Sequence, residues 1–366
     1  MSAPIYLDWN ATAPLCAQAR AAMLVAFDVV GNPSSVHGAG RAARKVVEAA
    51  RLQIADAVHS KAARIVFTGG GTEANAAALN GFPPETCLVS AIEHDCVYAP
   101  LKGAREIPVT ADGLIDLAAL EELIAEKRPR LVAVMLANNE TGAVQPIAEI
   151  ARITRAAGVR LHCDAVQGLG KIAIDFFDLG VDTLALSAHK IGGPQGVGAL
   201  VVRDGVALDP LLRGGGQELG LRAGTHNVAG IAGFGAAAAV AQPMPGALRD
   251  RLEALIQAAS LPATIYGASA PRLPNTSSIG LAGVSAETQV MALDLAGFAV
   301  SAGAACSSGK VKKSRVLAAM GAGEGAGHAI RVSLGPATTE AEIDAFAAAW
   351  IELANRLARN LPSRAA

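Results

Sequence analysis

From residue 64 onward the chain alternates short apolar, β-branched runs with segments whose apolar residues recur at helical spacing. Residues 64–68 read as a strand that runs into glycines and then a helix over 72–80. Further strands are expected over 86–91, 130–136, 159–163, 182–187 and 197–202, with helices over 117–126 and 147–157. Alternation of this kind implies an α/β fold, a mainly parallel sheet covered by helices on both faces. Ligands of such sheets gather beyond the carboxyl ends of the strands. Thr72, His94, Asn139, Asp164 and Lys190 all fall at those ends.

The texture changes after the apolar run 228–241. A helix over 247–259 leads to a strand over 277–281, a helix over 286–296 and a strand over 298–301. A strand over 329–334 then precedes a closing helix over 339–357. This reads as a large domain, 15–246, and a smaller α+β domain formed by 247–366 with the N-terminal arm 1–14 packed on it.

Composition narrows the function classes. With 52% hydrophobic and 17% charged residues in a 366-residue chain, a sizeable core is expected and disorder is not. A formal net charge of −1 without long runs of one sign gives no footing for nucleic acid. The start, with Asp8 and no basic segment ahead of an apolar one, does not read as a signal peptide. The Ala- and Gly-rich run 228–241 is short for a membrane span and suits a buried helix. Five scattered cysteines without a C-x-x-C pair suit a reducing cytoplasm. His162, Cys163 and Asp164 are consecutive, and alternation on a strand prevents them from closing round one ion, so no intrinsic metal is expected.

Lys190 carries the most information. It closes Ser187-Ala188-His189-Lys190 and opens onto Ile191-Gly192-Gly193-Pro194. Strands disfavour lysine, and the turn aims its amine into the crevice at the strand's end. Asp164 ends the run 159–163 in the same way. A strand-end lysine and a strand-end aspartate are what a pyridoxal phosphate site needs: an amine for the imine, and a carboxylate to keep the pyridine nitrogen protonated. Two ordinary loop charges would leave the same trace.

Other residues extend the pattern. The strand–glycine–helix junction at 67–73 offers free N–H groups and the Thr72 hydroxyl to an anion, although a plain glycine-rich turn looks alike. His94 is placed to stack on a flat cofactor or move a proton, or else to serve the core. Gln167, three residues beyond Asp164, reaches another edge of the same ring. Ser187 and His189 alternate with Ala188 and suit a phosphate beside Lys190. Asn138 and Asn139 are strand-end amides suited to a substrate carboxylate. Arg331, a charge inside an apolar strand, needs either a carboxylate ligand or a buried salt bridge.

Cys306 lies among small residues between Gly303 and Gly309, a segment expected to form a mobile, exposed loop. Lys310, Lys312 and Lys313 just beyond favour its thiolate.

Taken in order, several motifs match a known family. They are Tyr6-Leu7-Asp8, Asn10-Ala11-Thr12, residues 31–35 with His37, 68–73, Glu93-His94 and 138–142. Residues 164–167, 187–190, 214–218, 222–225, the Cys306 loop and 331–335 follow. Nearly end to end, the chain resembles the group I cysteine desulfurases (NifS/IscS-like). These are class V, fold type I pyridoxal phosphate enzymes that supply sulfur for iron–sulfur clusters.

The resemblance implies a seven-stranded sheet and a role for each residue. Lys190 would carry the imine and move protons, His94 would stack on the ring as acid or base, and Asp164 and Gln167 would address the ring nitrogen and phenolic oxygen. Gly71, Thr72, Ser187 and His189 would hold the phosphate, with Thr225 reaching across a homodimer. Asn139 and Arg331 would grip the carboxylate of L-cysteine. Cys306 would receive the sulfur, pass it to an acceptor or scaffold protein, and serve as a transient ligand to that acceptor's cluster. Trp9 and Gly69 depart from the family pattern, as does the short tail after Leu357. Rival readings are a selenocysteine lyase or class V aminotransferase on the same fold, and a non-catalytic scaffold.

Overall fold

The computed structural model describes residues 4–60, 64–303 and 313–358. In chain order the strands are β1 (Ile5–Tyr6), β2 (Arg64–Thr68), β3 (Cys87–Ser90), β4 (Arg105–Ile107), β5 (Leu131–Ala133), β6 (Arg160–Asp164), β7 (Thr183–Ser187) and β8 (Gly198–Val202). They continue as β9 (Ala263–Ile265), β10 (Thr276–Leu281), β11 (Phe298–Ala299), β12 (Ser301–Ala302) and β13 (Ala329–Ser333). The helices are α1 (Ala17–Phe27), α2 (Gly38–Ala57), α3 (Gly71–Leu79), α4 (Asp95–Tyr98), α5 (Leu117–Lys127) and α6 (Ile147–Ala156). After them come α7 (Phe176–Leu179), α8 (Val228–Val240), α9 (Ala247–Ala258), α10 (Ala286–Leu295), α11 (Arg315–Ala319) and α12 (Glu340–Ala358).

Seven strands form one sheet in the order β2-β8-β7-β6-β5-β3-β4. Only β8 runs against the common direction of the other strands, so the sheet is mainly parallel. Strands β7 and β8 are buried along their whole length, which suits their Leu, Val and Ala content. The register sets Ser187 opposite Gly198, and Gly198 opposite Thr68, on one rim of the sheet. Helix α6 turns Ile147, Ile150 and Ile153 toward this core, and Asp116 caps α5 by accepting from Ala119 N at 3.1 Å. Helix α8 packs on α1 and α2 and is apolar all round. It needs small residues there, since a Cβ on Gly235 would stand 2.6 Å from Ala50 Cα.

A second core collects Leu7, Leu252, Ile279, Phe298, Ile330, Phe346 and Trp350 around the four-stranded sheet β12-β13-β10-β9. The N-terminal arm joins it, with β1 parallel to β11 and Asp8 bridging Ser333.

The differences from the expected elements are local. Residues 84–86 form a 3-10 turn ahead of β3, so that strand is shorter than expected. The β5 ladder ends at Ala133, yet Val134 N and Leu136 N still reach His162 O and Asp164 O at 3.1 and 2.8 Å. Strand β4 is an edge of three residues with Arg105 and Glu106 exposed, too short and polar to show in the pattern. Among the described residues no helix is long and apolar enough to cross a membrane.

Candidate active site

Lys190 ends the short 3-10 turn after β7, and its Nζ donates to Asn10 O at 2.6 Å and Ala11 O at 2.8 Å. Gln167 Nε2 donates to the same Asn10 carbonyl at 3.0 Å. The N-terminal arm therefore meets the rim of the sheet through the backbone carbonyls of Asn10 and Ala11. The Asn10 side chain extends the junction, with Nδ2 donating to Thr276 Oγ1 at 2.8 Å and Oδ1 accepting from Lys171 Nζ at 2.8 Å.

Asp164 is buried at the end of β6. Its Oδ1 accepts from Val166 N at 2.9 Å and its Oδ2 from Asn75 Nδ2 at 2.7 Å. Burial raises its pKa, while these donors and the neighbouring His94 and Lys190 act in the opposite sense. Asn75 is itself fixed from behind. Its Oδ1 only accepts, so His162 Nε2, 2.9 Å away, carries a proton, and His162 Nδ1 takes the Thr183 hydroxyl at 2.9 Å. Burial holds His162 neutral, with its pKa pushed down to about 3.

His94 follows β3 and caps α4. Its Nδ1 accepts from Cys96 N at 3.1 Å and lies 2.9 Å from Cys96 Sγ. A backbone N–H is a donor in every state, so Nδ1 is unprotonated and the ring's proton sits on Nε2. The neighbouring Glu93 accepts from Met135 N at 2.6 Å through Oε1, while Oε2 has no partner among the described residues. Burial and then the charge of Asp164 push its pKa up to about 8.

Gly70 precedes α3 at φ +145° and ψ 179°, a region open to glycine alone, and no side chain caps the helix. A Cβ on Gly71 would stand 2.8 Å from Val166 Cγ2 and 3.4 Å from Ser187 Cβ, so bare backbone is required where α3 meets β6 and β7. Thr72 is exposed on that first turn, and Ser187 is buried beside it. His189 Nδ1 lies 3.2 Å from Thr12 Oγ1. Burial first, then Lys190 and Lys171, lower its pKa to about 4, so it offers a neutral ring and not a charge. Thr225 is exposed in the loop before α8, and no hydrogen bond ties it to this cluster among the described residues.

Arg331 lies in β13, 3% exposed. Its Nη2 pairs with Asp8 Oδ1 at 2.6 Å and its Nη1 donates to Asn139 O at 3.1 Å, while Nε is buried without a partner among the described residues. The salt bridge left open by the sequence is thus present, and it stands beside Asn139. Asn10 Nδ2 also reaches Asn139 O, at 3.4 Å, which joins this pair to the Lys190 corner. Asn138 plays a different part from Asn139. Its Oδ1 accepts from Glu140 N and Thr141 N, and its Nδ2 donates to Ile92 O, so the turn consumes the amide. Cys306 lies outside the described residues.

The residues present fit pyridoxal phosphate. The uncapped N terminus of α3 beside Ser187 suits the phosphate, and the buried Asp164 carboxylate suits a protonated ring nitrogen. Sequence reasoning missed Asn75, Lys171, Glu93 and the connecting role of Asn10. Of these Asn10 and Glu93 stood inside quoted motifs, and Asn75 and Lys171 did not.

The family model described as "Aminotransferase class-V" matches residues 5–346. A cysteine desulfurase of Cereibacter sphaeroides is 43% identical over 360 residues, 93% of each chain. A cysteine desulfurase IscS of Anaeromyxobacter sp. (strain Fw109-5) is 40% identical over 99% of this chain and 95% of its own. A NifS-like protein from Rickettsia africae superposes with a TM-score of 0.89 at 37% identity, covering 96% of this chain and 99% of that one. The chain belongs to the class-V aminotransferase family and, within it, groups with the cysteine desulfurases.

Proposed function

We propose that this chain is a pyridoxal phosphate-dependent cysteine desulfurase, which converts L-cysteine to L-alanine and leaves the sulfur as a persulfide on Cys306. One observation carries the reading: Lys190 Nζ and Gln167 Nε2 meet on the carbonyl of Asn10, in a chain 43% identical to a cysteine desulfurase over 93% of its length.

On this reading Gly71, Thr72, Ser187 and His189 hold the phosphate, with Thr225 contributed from a second protomer. Asp164 holds the ring nitrogen, Gln167 the phenolic oxygen and His94 the ring face. When bound, the cofactor supplies a sink for the electron pair released at the substrate's Cα. The Asp164 carboxylate, backed by Asn75 and Val166 N, keeps a proton on the nitrogen that draws those electrons. Lys190 takes the Cα proton and returns one, its amine held between two carbonyls in the free site. His94 offers the proton on Nε2. Asn139 and Arg331 grip the substrate carboxylate. The Cys306 thiolate attacks the substrate sulfur; an S–S bond forms as Cβ–S breaks, and the carbon skeleton keeps the electron pair, gains protons and leaves as alanine.

The reading extends to a division into 15–246 and 1–14 with 247–366, with Cys306 in the smaller part. It extends also to a homodimer, supported by the exposed Leu24, Val25, Phe27 and Val30 at the end of α1. A cytoplasmic location is supported by the free thiols of Cys16, Cys87, Cys96 and Cys163. The acceptor is a scaffold or carrier protein for iron–sulfur clusters or other sulfur-containing cofactors. The test is to add pyridoxal phosphate and L-cysteine to the purified protein. A visible absorbance band in the wild type that is lost in Lys190→Ala, together with alanine formation, is expected. Alanine formed equally by Lys190→Ala would overturn the reading.

A further inference from the structure

Lys171 lies in the turn after Asp164, 4% exposed. Its Nζ donates to Asn10 Oδ1 at 2.8 Å and to Gln167 Oε1. Among the described residues no carboxylate pairs with it. A buried lysine without a counter-ion is costly to keep. Burial first, then the charges of Lys190 and Arg331, lower its pKa well below the ordinary lysine range. In either protonation state Nζ donates to both amide oxygens, which have no hydrogen of their own to give.

The consequence falls on Gln167. An amide oxygen only accepts and its nitrogen only donates, so a donor at one end decides what the other end presents. With Oε1 turned to Lys171, Nε2 faces the Lys190 corner. One Nε2 proton goes to Asn10 O at 3.0 Å, the carbonyl that also takes Lys190 Nζ, and the second has no acceptor among the described residues.

Resting on the reading that Gln167 addresses the cofactor's phenolic oxygen, we propose that Lys171 is a positioning residue that locks Gln167 with an N–H, not a carbonyl, toward that oxygen. A donated N–H stabilises negative charge on the oxygen. It thereby lowers the pH at which the Lys190 nitrogen, once joined to the cofactor, gives up its proton. The other titratable groups at this corner are His189 beyond β7, Asp164 from β6, Asp8 from the arm and Arg331 from β13. The substitutions below leave all of them in place.

The pH midpoint of the visible absorbance change in the pyridoxal phosphate-loaded protein reads the effect. Lys171→Met, similar in length but without a donor, is expected to raise the midpoint by about one pH unit. Gln167→Met is expected to raise it comparably, and the double variant no further, because both act through one contact. Lys171→Gln keeps a donor, serves if the methionine variant does not fold, and is expected to shift the midpoint less. Fully additive shifts, or a wild-type midpoint in both Lys171 variants while Gln167→Met moves, overturn the proposal. The cofactor-free protein gives an independent reading by NMR. The Gln167 Nε2 protons are expected to exchange with solvent about tenfold faster in Lys171→Met, and unchanged exchange overturns the proposal. A wild type that develops no visible band overturns the cofactor reading, and with it the role at the phenolic oxygen, whatever the exchange rates show of Lys171 and Gln167.

Discussion

Asn75 donates to Asp164 Oδ2 at 2.7 Å and accepts from His162 Nε2 at 2.9 Å, so a buried neutral histidine orients the carboxylate that the proposed mechanism depends on. The chain of donors runs one way, from the Thr183 hydroxyl through His162 and Asn75 to Asp164. Asn75→Leu removes a donor from Asp164 and strands the His162 N–H. Pyridoxal phosphate is expected to bind about tenfold more weakly, equivalent to about 1.4 kcal/mol. Titration of the cofactor-free protein by absorbance checks this, and unchanged affinity contradicts it.

Glu218 adopts φ +49° and Leu219 φ +59°, two consecutive left-handed residues ahead of the Thr225 loop. Such backbone costs free energy and needs an external hold. Arg51 grips Glu218 with both Nη atoms at 2.8 Å, His226 Nε2 stands 2.7 Å away, and Phe67 N donates at 2.8 Å. Burial opposes ionisation, but these partners outweigh it and hold the pKa down to about 2. The unfolded chain binds the proton first as pH falls, so this stabilisation is present above about pH 4.5 and is lost as pH drops through 2. Glu218→Ala should destabilise the fold by about 3–5 kcal/mol at neutral pH, measured by denaturant unfolding, and flatten the acid limb.

Glu93 has the opposite sign. Burial first, then Asp164, push its pKa from 4.5 up to about 8, so the folded protein holds a proton that the unfolded chain releases. Its contribution is present below pH 4.5 and is lost as pH rises through about 8. Glu93→Gln keeps the acceptor for Met135 N and cannot ionise. Urea midpoints of wild type and variant should therefore diverge in the variant's favour between about pH 5 and pH 9. Parallel curves would contradict the assignment.

Trp9 lies against Gly335, where a Cβ would stand 1.9 Å from the indole. Its Nε1 donates to Tyr6 O at 3.1 Å, which fixes the ring in the arm that carries Asn10. Gly335→Ala is expected to cost about 1–3 kcal/mol by overpacking. Trp9→Ala in the same chain should recover part of that loss in urea unfolding, and a loss unaffected by the second substitution contradicts the contact.

The rim of the sheet was legible because polar residues that end β-branched runs stand out, and Asp164, Ser187 and Lys190 fall where alternation put them. Asn75 and Lys171 were not, since a polar residue on a helix or in a turn reads as surface until packing shows otherwise. Only the approach of α3 to β6 and β7 brings Asn75 inside. Asn138 misled because a strand-end amide and a turn-forming amide look the same in sequence, and here the turn claims it. The role of Thr225 and the sulfur-accepting role of Cys306 came from family resemblance; Thr225 is exposed without a hydrogen bond to the cluster among the described residues, and Cys306 lies outside them.

The central claim is sulfur transfer to Cys306, and one turnover tests it. Cofactor-loaded wild type and Cys306→Ala are each mixed with L-cysteine, and alanine is quantified together with persulfide on the protein. Matching alanine and persulfide are expected in the wild type, and neither in Cys306→Ala. Equal alanine from both proteins, without sulfur on the wild type, would contradict it.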